Sequence, residues 1–234
     1  MSTIPTQRIS GKRAFSLVEL LVVLGIIAVM IGILFPVITR ARSAAQQTKC
    51  ASNLRELGTA FHNYATLCRG SLPPLNSRIP GVVGEWYFDY LARANLIAGE
   101  LISSSTHFTQ PIARCPSIDE DIIVRGWGGG YGVNESGVIR YAQFGGSLKL
   151  SKLRRSSELW LLGDVGRPML ANAFADYPWV TTFAPPFNLS KVGDDSQRPS
   201  PRHRGLVNVC FADGHVGTRS FEQLAQNNER IFTP

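Results

Sequence analysis

The titratable side chains of the C-terminal third are spaced for one of two things, a cation site or a turn. His203 is followed by nine residues and then by Asp213-Gly214, with His215 next; Asp164 ends an apolar run upstream. Imidazole and carboxylate suit a divalent cation, so His203, Asp213, His215 and Asp164 could in principle converge on one. Asp-Gly is also a tight-turn dipeptide whose carboxylate bonds its own backbone, and a histidine at a strand start can simply meet a carboxylate. Structural roles are the expectation, with no metal and no cofactor assigned. Cys50, Cys68, Cys115 and Cys210 contain no CxxC pair, so neither a zinc ribbon nor a thioredoxin-type site is suggested. Four thiols suit disulfides in an oxidising compartment and equally suit small buried hydrophobes; Cys210, in a core-strand pattern, is expected to stay reduced.

Nothing else has the spacing of catalysis. GxSxG and HExxH are absent. Asp119-Glu120-Asp121 and Asp194-Asp195 lie in polar stretches and read as solvated loop charges. The glycine-rich run around Trp127 lacks both the GxGxxG spacing and a following Lys-Ser/Thr, so it reads as a turn before a strand rather than a phosphate loop. The net charge is +7, with three of the positives (Arg8, Lys12, Arg13) crowded before Phe15 and the rest scattered. Without a basic stripe, no nucleic-acid partner is expected.

Glu19 is the exceptional charge. It lies near the start of an apolar stretch whose residues 20–36 (LLVVLGIIAVMIGILFP) hold no charge; from 15 to 38 only Ser16 and Glu19 interrupt it. That length matches the roughly 20 apolar residues of a membrane helix and exceeds the roughly 7–15 of a signal-peptide core. Arg40, Arg42 and Lys49 follow it, so flanking charge alone does not set its orientation. A carboxylate in a membrane span costs about 2.5–3.5 kcal/mol at the centre and marks a function by default. A cut before Phe15 would create an amino group four residues away, on the same helix face.

The segment Lys12-Arg13-Ala14-Phe15-Ser16-Leu17-Val18-Glu19-Leu20 resembles the cleavage and methylation segment of type IV prepilins and type II secretion pseudopilins. The resemblance implies cleavage between Ala14 and Phe15 by a prepilin peptidase of the bacterial inner membrane, N-methylation of Phe15, and pairing of Glu19 with an N-terminal amine during assembly with other pilin-like subunits. The family usually has glycine where this chain has Ala14. At the other end, His203, Asp213 and Gly214 resemble the H-X9-DG domain found after prepilin-type N-termini. Cys50-Ala51-Ser52-Asn53-Leu54, Cys115-Pro116-Ser117 and Tyr131-Gly132-Val133-Asn134 are similar to that family as well. The likeness at Cys50 and Cys115 is the ground for expecting a disulfide between them; it carries over no catalytic residue.

The elements that position these groups follow from periodicity. Apolar residues continue past the span at helical spacing to Ala65, which predicts one helix from about Phe15 to about Ala65, kinked at Pro36. A short helix is predicted from Trp86 to about Ile97, strands at Leu159 to Asp164 and Val207 to Ala212, an Asp213-Gly214 turn and a short helix from Phe221. Residues 178–201 read as a long loop. The expected fold is α+β: a long N-terminal transmembrane and amphipathic helix packed on a mainly antiparallel, pilin-like sheet. The expected organisation is a basic leader (1–14), a single-pass transmembrane helix (15–38), its extracytoplasmic continuation (39–66) and a periplasmic domain (67–234). The expected function is a pseudopilin- or pilin-like structural subunit of a type II secretion or type IV pilus-like system. The alternative is a membrane-anchored binding module for a metal, glycan or secreted protein, for which Trp127, Tyr131 and Trp179 would supply contacts.

Overall fold

The structure, a computed structural model, describes residues 16–76, 86–97, 111–118, 130–135, 137–142, 145–166, 179–180 and 198–234. The leader with Ala14, Phe15, Gly126-Trp127-Gly128-Gly129 and the acidic clusters at 119–121 and 194–195 lie outside these. The first element is a 51-residue helix, α1 (Leu17–Leu67), with Pro36 inside it. The chain divides into two compact units, Met1–Arg42 and Ser43–Pro234.

In the first unit, α1 buries nothing. Seventeen large apolar side chains between Leu17 and Ile38 are exposed, far more contiguous apolar surface than water tolerates. This stretch is long and apolar enough to cross a membrane.

The second unit is built on a mixed, largely antiparallel sheet. Its strands are β1 (Tyr131–Asn134), β2 (Trp160–Gly166), β3 (Trp179–Val180), β4 (Arg198–Pro199), β5 (Leu206–Phe211) and β6 (Val216–Ser220), in the order β3-β1-β2-β5-β6, with β4 paired to β2. The four strands β1, β2, β5 and β6 pair antiparallel, and short β3 runs parallel to β1. Thus two short strands occupy the region read from sequence as a loop. With the long helix, this is the expected α+β, pilin-like arrangement.

Each face of the sheet carries a separate core. On one, the last part of α1 presents Cys50, Leu54, Leu57, Ala60, Phe61 and Ala65 to Leu159, Leu161, Leu162 and Cys210; the three- and four-residue spacing puts these helix residues on one stripe. The short helix α2 (Tyr87–Arg93) joins this layer. Asp89 caps it by accepting the Trp86 N–H at 2.7 Å, and Tyr87 meets Phe61 at 5.7 Å between ring centroids. On the other face, Trp160, Val165, Val207, Val209 and Phe211 pack with Leu224 of α3 (Phe221–Gln226) and with Ile231 and Phe232 of α4 (Asn228–Phe232). α3 opens with a Ser220/Gln223 capping box; α4 is an element the sequence pattern did not predict.

The register of β2 on β5 shifts between Trp160 and Leu162. Strict alternation would put Trp160, Leu162 and Asp164 on one face. The bulge breaks the alternation: Trp160 joins the α3–α4 core while Leu161 and Leu162 both join the α1 core. Downstream, Asp164 is thereby turned toward α1, a known use of bulges.

α1 approaches β5 closely at Gly58. A Cβ there would lie 2.5 Å from the Cys210 Sγ. Gly58→Ala is therefore expected to lower stability by about 1–3 kcal/mol through overpacking, despite the roughly 1 kcal/mol gain in helix propensity. Urea midpoints of Gly58→Ala, Cys210→Ala and the double variant check this. A favourable coupling identifies the contact as the cause, and strict additivity would dismiss it.

Candidate functional site

Two groups of side chains do more than pack. The first lies at the start of α1. Ser16 stands just before the helix, and its Oγ accepts the Val18 N–H at 3.3 Å. Glu19 returns its Oε2 to the Ser16 N–H at 3.0 Å. Glu19 thus makes the carboxylate half of a capping box, while Ser16 caps the second helical N–H rather than the third, and the helix dipole favours an acid in the first turn. Beyond its expected pairing with a new amine, Glu19 therefore has a second role, one that the local pattern Ser16-Leu17-Val18-Glu19 itself signals. The two roles are compatible, because a carboxylate offers about four lone-pair sites.

The second group is buried. Cys50 from α1, Cys115 from the loop after a 3₁₀ turn (Pro111–Ala113), Asp164 from β2 and His203 from the turn before β5 bring one ligand atom each to within 4.8 Å of one another. None is more than 2% exposed. The Cys50 Sγ donates to Asp164 Oδ1 at 3.1 Å, the Cys115 Sγ lies 3.5 Å from His203 Nε2, and His203 Nε2 lies 3.4 Å from Asp164 Oδ2. Further polar groups hold these four in place. The Asn208 N–H donates to Asp164 Oδ2 at 2.7 Å, and the Ser117 Oγ lies 3.4 Å from His203 Nδ1. One turn along α1, buried Asn53 donates to the Arg114 carbonyl at 3.1 Å and so anchors the loop that carries Cys115.

Proximity reshapes the titration of the group. Burial pushes the Cys50 thiol far above the usual thiol range, with Cys115 and Asp164 adding to the effect. Cys115 moves the other way: the adjoining Cys50 thiol outweighs burial and, with His203, brings it down to about 5. Burial pulls His203 down, but the Asp164 carboxylate and Cys115 more than offset this and raise it to about 9. Both shifts favour the charged forms of Cys115 and His203.

The four C-terminal residues considered together from sequence separate. His203 and Asp164 meet in the buried cluster. Asp213 and His215 pair with each other at 2.6 Å on the half-exposed β5–β6 turn, where Asp213 Oδ1 also accepts the His215 N–H. Gly214, at φ +90°, supplies the left-handed residue of that turn. The nine-residue spacing therefore spans β5: His203 lies before the strand and Asp213-Gly214 after it. A six-residue strand runs on the order of 20 Å, which keeps the two ends apart. Cys50 and Cys115, paired above through resemblance, are neighbours and carry free thiols, as do Cys68 and Cys210. Burial pushes Cys210 up to about 12, an unreactive state.

Residues 9–35 match the prokaryotic N-terminal methylation motif. No curated protein matches the chain, and no solved structure matches it.

Proposed function

We propose that this chain is a pilin-like structural subunit that a prepilin peptidase cuts between Ala14 and Phe15, with Phe15 then N-methylated. The carrying observation is the match of residues 9–35 to a methylation motif that runs into an exposed apolar helix with a single early carboxylate, Glu19. In this reading residues 1–14 are a cytoplasmic leader, 15–38 the inner-membrane anchor, 39–66 its extracytoplasmic continuation and 67–234 a periplasmic domain. Other pilin-like subunits are its partners, through the N-terminal helix, in a type II secretion or type IV pilus-like assembly. The likeness of His203, Asp213 and Gly214 to the H-X9-DG pattern supports the same class. The chain contributes structure and a surface rather than catalysis.

The N-terminal peptide of protein isolated from its native membranes tests this by mass. A peptide beginning at Phe15 and carrying one added methyl group is the expected result. A chain that keeps residues 1–14 would overturn it.

A further inference from the structure

We propose that Cys50, Cys115, Asp164 and His203 form a closed structural site for one divalent transition-metal ion, with zinc as the natural occupant. Two sulfurs, an imidazole nitrogen and a carboxylate oxygen are a zinc donor set, and sites that take four protein ligands and no water are structural. Tetrahedral bonds of about 2.0–2.3 Å imply ligand–ligand edges of roughly 3.3–3.8 Å. The four ligand atoms all lie within 4.8 Å of one another, and the Cys115 Sγ–His203 Nε2 separation of 3.5 Å falls in that range. Asp164 reaches the set through both oxygens, Oδ1 at 3.1 Å from Cys50 Sγ and Oδ2 at 3.4 Å from His203 Nε2, so an ion would draw the wider pairs inward. The ligands come from four separate segments, so the ion would fasten α1, the Cys115 loop, β2 and the entry to β5 together.

The surroundings fit an ion better than a bare cluster. Asp164 Oδ2 is held by the Asn208 N–H, and the Ser117 hydroxyl at His203 Nδ1 leaves Nε2 facing the other ligands; such outer contacts are what orient zinc ligands. A Cys50–Cys115 disulfide would use two of the four groups and leave a carboxylate and an imidazole buried beside an apolar bond. Binding instead offsets two of the three negative charges that the thiolates and carboxylate bring, and the displaced thiol and imidazolium protons pass to solvent. The site is independent of whether the N-terminus is cut.

Full-length protein, purified in detergent without chelator, should contain close to one zinc per chain by elemental mass spectrometry. Stripped of metal under reducing conditions and given cobalt(II), it should show the visible bands of tetrahedral cobalt and a near-ultraviolet thiolate-to-cobalt band. Cys50→Ser and His203→Gln should lose the metal, Cys68→Ser should keep it, and Ser117→Ala, which spares every ligand, should weaken binding about 10–100-fold. The cobalt spectrum of the unaltered protein decides the matter even if the ligand variants do not fold. Cobalt without a thiolate band, a native Cys50–Cys115 disulfide, or full zinc retained in both ligand variants would each overturn the assignment.

Discussion

Glu19→Val is expected to leave the protein cut and methylated at Phe15 while removing it from assembled material. An unpaired carboxylate near the end of a membrane span is unfavourable, by up to about 2.5–3.5 kcal/mol if it were carried to the centre. Pairing it with an amine on a neighbouring subunit would recover a large part of that, and 2.8 kcal/mol is about 100-fold in association. The valine variant sits more comfortably in the bilayer as a lone chain and loses the gain on assembly. Because Glu19 also caps α1 through the Ser16 N–H, the cap and the charge need separating. Glu19→Gln does this, since an amide oxygen can accept the same N–H without carrying charge. Comparing processed protein in sheared or cross-linked assemblies with processed protein left in membranes gives the answer. If Gln behaves like Val, the charge carries assembly; if Gln assembles normally, Glu19 is only a helix cap and its proposed role fails.

What the sequence reveals here depends on whether the signal is local. The apolar span, the carboxylate within it and the amphipathic stripe at Leu54, Leu57, Phe61 and Ala65 are periodic patterns, and α1 runs within two residues of the predicted limits at both ends. The strands carrying Trp160 and Val209 were legible for the same reason. The buried cluster was not. Its members lie far apart along the chain, and no two share a short ligand motif. Asp164 turns toward Cys50 only because of the Trp160/Leu162 register shift, which no alternation rule supplies. The nine-residue spacing from His203 to Asp213 drew attention to a pair that β5 holds apart; of the residues grouped with His203 only Asp164 meets it, and its other neighbours, Cys115 and Ser117, carried no such signal. Cys50 and Cys115 were linked only through resemblance; their company with a carboxylate and an imidazole needed the fold.

Asp164→Ala is expected to be among the most damaging single substitutions in the second unit, by about 3–5 kcal/mol, the usual cost of removing one partner from a buried charged pair. Against a typical total of about 5–15 kcal/mol, that is enough to threaten folding. The reason lies in what the carboxylate holds. Its Oδ2 accepts the Asn208 N–H and faces His203 Nε2, and its Oδ1 accepts from Cys50. Alanine strands a strand N–H and takes from buried His203 the carboxylate that had helped raise it to about 9, so that burial then drives the ring toward its neutral form. Asp164→Asn keeps the shape and one acceptor, so it should cost less, about 1–3 kcal/mol. Urea midpoints read by tryptophan fluorescence on the full chain, in detergent with chelator present, isolate this effect from any metal. The sharper test is the pair Asp164→Ala and Asp164→Ala/His203→Gln. If the loss of His203's counter-charge dominates, the double variant is more stable than the single one, because the glutamine has no charge to bury or to give up. If the second substitution only adds to the damage, the carboxylate's main task is the Asn208 N–H and the β2–β5 register, and the His203 charge contributes little to holding the domain together.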